Sequence, residues 1–154
     1  MEGGGHLDGG CSGALISRRH VLTAAHCFFI TRTNTRKPTM KDIGYGSQKI
    51  SDTILASVSH VEINPTFVNY PSSGSDTAIV TLTEPVKFGN DVRPLCLPAN
   101  SRQKYVGHKA FASGWGRTES GSGVNELKEA LVRILSNRKC SRILRKKDRR
   151  RLSK

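Results

Sequence analysis

Hydrophobic positions along this chain come in short runs. Segments rich in Val, Ile, Thr and Leu lie at residues 13–17, 21–23, 43–45, 53–63, 76–82, 109–115 and 130–135. Between them stand clusters of Gly, Pro, Ser and Asn, the residues that supply turns. Short β-rich runs at this spacing predict strands, and their number predicts an antiparallel barrel or sandwich. Asn64-Pro65 and Tyr70-Pro71-Ser72-Ser73-Gly74 are expected turns, and Ser120-Gly121-Ser122-Gly123 an expected loop. One helix is predicted, over residues 137–147, with Ser136 as its N-cap. There is no internal repeat and no heptad pattern. No apolar run approaches the roughly 20 residues that a membrane-spanning helix needs.

The 154 residues fit one domain, with 36% hydrophobic and 24% charged residues. A net charge of +13 suggests a nucleic-acid partner until it is located. Residues 138–154 hold ten Lys and Arg against Asp148 alone, a local charge of +9 that leaves +4 on the other 137 residues. The basicity therefore belongs to the end of the chain, which reads as a solvated or disordered tail. No specific nucleic-acid partner is expected. The opening Met1-Glu2-Gly3-Gly4-Gly5-His6 has neither the basic nor the apolar region of a secretory signal.

Four cysteines (11, 27, 96 and 140) contain no Cys-x-x-Cys pair, and five histidines (6, 20, 26, 60 and 108) contain no His-x-x-x-His pair. That argues against a zinc ribbon. Residues 39–51 lack the paired acidic ligands of a calcium loop. No metal and no cofactor are expected.

The most informative stretch runs Cys11-Ser12-Gly13-Ala14-Leu15-Ile16-Ser17-Arg18-Arg19-His20-Val21-Leu22-Thr23-Ala24-Ala25-His26-Cys27. It reads as a strand, a turn, a second strand, and a tight turn of small residues presenting a histidine beside a cysteine. Cys11 and Cys27 could close a loop across that hairpin. An imidazole is suited to proton transfer because its ordinary pKa of about 6.5 lies near neutrality. Leu22-Thr23-Ala24-Ala25-His26-Cys27 resembles the histidine motif of the chymotrypsin/trypsin family of serine proteases. The resemblance implies that His26 is the catalytic histidine and that Cys11 pairs with Cys27.

Four more segments follow in the family's order. Ser75-Asp76-Thr77-Ala78-Ile79-Val80-Thr81-Leu82 resembles the strand carrying the catalytic aspartate, which assigns that role to Asp76. Val92-Arg93-Pro94-Leu95-Cys96-Leu97-Pro98 resembles the connector between two barrels, and Ala112-Ser113-Gly114-Trp115-Gly116 the strand that opens the second. The segment from Leu131 to Cys140 resembles the following strand and the cysteine on the helix after it. The implied fold is all-β: an incomplete chymotrypsin-like double β-barrel, with most of the first barrel and the first strands of the second. The trypsin-like region is expected over residues 1–144, with a basic tail of no recognised family at 145–154.

The family's Gly-Asp-Ser-Gly-Gly nucleophile motif does not occur in the 154 residues, nor does its Ile-Val-Gly-Gly start. Each Ser-Gly pair lies in a segment already matched to another part of the fold or in a loop. The resemblance implies a serine endopeptidase, present here as a fragment without its nucleophile and inactive as it stands. A polypeptide substrate is expected only when the missing half is supplied. The alternative is a non-catalytic homologue that acts by binding other proteins. By resemblance the protein is extracellular, Cys96 and Cys140 lack their family partners, and Ala110 stands where many relatives carry a cysteine.

Overall fold

The computed structural model describes residues 11–30, 35–36, 41–67, 75–100, 102–119, 121 and 124–152. The expected turn at 70–74 and most of the 120–123 loop lie outside these residues. The chain divides into two compact units, Met1–Leu97 with Trp115–Leu127, and Pro98–Gly114 with Lys128–Lys154.

The first unit is built on strands β1 (Ala14–Leu15), β2 (His20–Thr23), β5 (Asp42–Tyr45), β6 (Ile54–Ile63) and β7 (Ala78–Leu82). They form one antiparallel sheet in the order β1-β2-β7-β6-β5. Strand β7 lies at the centre because its sequence alternates as a buried strand must. Ala78, Val80 and Leu82 are each at most 2% exposed, and Ile79 and Thr81 between them face the other way. Val21 on β2 pairs with Val80 and joins this core, as do Ala25, Cys27, Phe28 and Val86.

Strand β6 makes the sheet curl. Its first four residues pair with β5, and from Val58 onward it pairs with β7. The register slips between Val58 and His60, a bulge that bends the strand. Two-residue strands β3 (Phe29–Ile30) and β4 (Thr35–Arg36) pair as a separate ribbon. Residues 48–50 also carry the later segment of this unit. Ile50 N–H donates to the Asn125 carbonyl, Leu127 N–H to that of Gln48, and the Trp115 indole N–H also to Gln48 at 2.7 Å. The strand reading of 109–115 therefore ends one residue early, because the Trp115 ring turns to the acceptor that its N–H needs.

The second unit is a hairpin of β8 (Lys109–Gly114) and β9 (Lys128–Arg133), then helix α1 (Asn137–Leu152). Ser136 caps the helix, its hydroxyl accepting from Lys139 N–H at 3.3 Å and its carbonyl from Cys140 N–H at 2.9 Å. The helix runs five residues past the expected end at Lys147. Arg and Lys are good helix formers, and neither Gly nor Pro interrupts them. Phe111 sits opposite Leu131 in the hairpin, and they are 69% and 56% exposed. No helix among the described residues is long and apolar enough to cross a membrane.

Candidate active site

Fifty residues of sequence separate His26 from Asp76, yet sheet pairing brings them together. Strands β2 and β7 are antiparallel, with Thr23 opposite Ala78 at the last paired position. Past Thr23 the chain makes a single 3-10 turn over Ala25–Phe28, which carries His26. Two residues ahead of Ala78 stands Asp76. The end of one strand and the approach to its neighbour therefore meet at one edge of the sheet. Small residues at Ala24 and Ala25 allow the tight turn, and Ala25 is fully buried beneath it.

The contact is made twice. His26 Nδ1 lies 2.8 Å from Asp76 Oδ2, and the His26 backbone N–H donates to Asp76 Oδ1 at 2.9 Å. A carboxylate can only accept, so Nδ1 carries the hydrogen and Nε2 is left as the basic nitrogen. The His26 side chain is 55% exposed and that of Asp76 25%. Partial burial favours the neutral carboxyl of Asp76. It is outweighed by hydrogen bonds from the His26 ring and backbone N–H, attraction to the positive charge of the imidazolium form and a bond from Ala25 N–H, which together hold the pKa below its ordinary 3.8.

That direction fixes a pH dependence. A carboxylate whose pKa is lower in the folded state contributes stability above its unfolded pKa, and this is lost as pH falls through the folded value. Asp76→Asn is expected to cost about 1–2 kcal/mol at neutral pH. It should also flatten the decline in stability between about pH 5 and pH 2. Urea denaturation of both proteins at several pH values checks this; parallel curves would mean that the pair contributes nothing.

A disulfide joins Cys11 to Cys27, with a Cα–Cα distance of 6.1 Å, and pins the residue after His26 to the strand entering β1. Cys96 and Cys140 are free and exposed. Donor atoms of Cys11, His26 and Cys27 lie within 4.8 Å of one another. The two sulfurs are bonded together, so neither is the thiolate that a metal requires. The roles of the Ala25 and His26 backbone N–H groups went unread in the sequence. Their one signal there is the three-residue step from Thr23, the end of an apolar run, to His26.

A sequence model of the trypsin family matches residues 2–151. The chain belongs to the trypsin family of serine proteases, and its sheet and hairpin make an incomplete chymotrypsin-like double β-barrel. It is 28% identical over 134 residues to transmembrane protease serine 11G of Rattus norvegicus, covering 86% of this chain and 31% of that protein. The protein of the same name from Mus musculus matches to the same extent. The chain thus spans about a third of the length of the curated relatives it matches.

Proposed function

We propose that His26 and Asp76 are the acid–base pair of a serine endopeptidase whose nucleophile lies outside these 154 residues. The observation that carries this reading is the doubly bonded contact, 2.8 Å from ring to carboxylate and 2.9 Å from backbone to carboxylate. A carboxylate so placed fixes the imidazole tautomer and stabilises the imidazolium. His26 Nε2 would then take the proton of a serine hydroxyl as its oxygen attacks a peptide carbonyl. The same nitrogen would return that proton to the departing amine. The substrate would be a polypeptide, as expected of a trypsin-family protease. The disulfide favours an oxidising, extracellular setting. In this reading the protease region covers residues 1–144, and 145–154 is an appended basic segment.

A polypeptide of these 154 residues alone would not hydrolyse peptides, since the sequence holds no Gly-Asp-Ser-Gly-Gly and so no family nucleophile. That same observation favours a second reading, a non-catalytic homologue that binds other proteins. Fluorophosphonate labelling separates the two. The 154-residue polypeptide is expected to take no label. A longer product of the locus, encoding the nucleophile motif, is expected to label stoichiometrically and to lose the label in His26→Ala. If every product of the locus stays unlabelled, the endopeptidase reading fails and the binding reading stands.

A further inference from the structure

Charge is divided unequally between the two units. The first, Met1–Leu97 with Trp115–Leu127, holds ten Lys and Arg and ten Asp and Glu, and is neutral. The second, Pro98–Gly114 with Lys128–Lys154, holds fifteen Lys and Arg against Glu129 and Asp148 alone. The whole net charge of +13 therefore sits on the second unit.

Nine of those fifteen basic residues lie on α1. Successive helix positions turn by about 100°. Arg138, Lys139, Arg142, Arg145, Lys146, Arg149 and Arg150 thus occupy positions on one arc of about 140°, in a stripe about 18 Å long. Arg138, Lys139, Arg142 and Arg145 are exposed, and among the described residues no ion pair engages them. The arrangement works against the helix itself. Arg138 and Lys139 stand in the first turn, which has no acidic residue and where the dipole disfavours cations. Four pairs of like charge stand four residues apart, at 138–142, 142–146, 145–149 and 146–150. A bound polyanion would relieve both costs.

We propose that this face of α1 binds a sulfated polysaccharide. Five of the seven stripe residues are Arg, whose planar fork can donate to two oxygens of one oxyanion. An anionic membrane suits the helix less well. Lys147 and Arg151 share the opposite arc with Cys140 and Leu144, so that side presents no continuous apolar face to enter lipid. Nucleic acid suits it less well too, because α1 has no aromatic residue on which a base could stack. The choice of a polysaccharide rests on the extracellular setting that the disulfide supports, and not on catalysis. Labelling results at His26 therefore leave the proposal standing.

The test is calorimetric titration of a polypeptide of these 154 residues with a heparin octasaccharide, at about 0.15 M NaCl. Parallel titrations use a hyaluronan octasaccharide, which carries carboxylates and no sulfate, a short DNA duplex, and phosphatidylserine vesicles. Saturable binding of the sulfated chain is expected, at least about tenfold tighter than that of the other three. Two triple variants ask whether the stripe or mere charge is responsible. Replacing Arg142, Arg145 and Arg149 by Gln should weaken binding at least about tenfold. Replacing Lys147, Arg151 and Lys154 by Gln removes the same charge from outside the stripe, and should weaken it less than about threefold. Gln forms helix about as readily as Arg and Lys, so both variants keep α1. Absence of saturation, equal losses in the two variants, or DNA or vesicles bound as tightly as the sulfated chain overturns the proposal.

Discussion

Leu82→Ala is expected to destabilise the first unit by about 2–5 kcal/mol. Leu82 is fully buried at the end of β7 and is, with Val80, among the largest fully enclosed side chains of the described core. The loss combines transfer of the removed methyl groups with a cavity that the curled sheet cannot close, since β7 is held by β2 and β6 on both sides. Against the 5–15 kcal/mol typical of a whole domain this is a large share. The urea midpoint should fall steeply. Glu84→Ala, just beyond the strand and with its side chain 85% exposed, should move it by less than about 0.5 kcal/mol. A Leu82→Ala loss under about 1 kcal/mol would show that β7 is not the centre of the core.

Removing the crosslink is the second large perturbation. The disulfide spans 16 residues, and a loop of that size corresponds to about 3 kcal/mol in the chain-entropy account. Cys27 is only 6% exposed, so it is best replaced by Ala, and the half-exposed Cys11 by Ser. The double variant is expected to unfold at lower urea by that amount. A dithiol reductant should destabilise the parent chain and leave the variant unaffected. Thiol alkylation before reduction should mark Cys96 and Cys140 alone. A parent chain indifferent to reductant would mean that the crosslink holds only the ends of an already rigid hairpin.

Period-two patterns made the longer strands legible. Ala78, Val80 and Leu82 announce one buried face, and all seven apolar runs of the sequence contain strands. Strands β3 and β4 were illegible because two residues carry no period. The 3-10 turns at Ala25–Phe28 and Ile50–Asp52 are likewise too short for a pattern. For α1, the dense charge that reads as a solvated tail is the same composition that sustains a helix to Leu152. The juxtaposition of His26 with Asp76 came through resemblance, since nothing local links residues 50 positions apart. What no sequence pattern encodes is the register of β2 on β7, and that register sets the contact.

The exposed Phe111 and Leu131 put an apolar pair on the surface of the second unit. An isolated two-stranded hairpin has two open edges and little stability of its own. Here it shares a unit with a helix from the region whose local charge is +9. In dilute buffer those like charges repel between molecules and keep the apolar pairs from meeting. At 0.15 M salt the screening length shortens to about 8 Å, and the repulsion no longer reaches across the gap. Solubility of a polypeptide of these 154 residues is therefore expected to fall as ionic strength rises, which light scattering across a salt series would read.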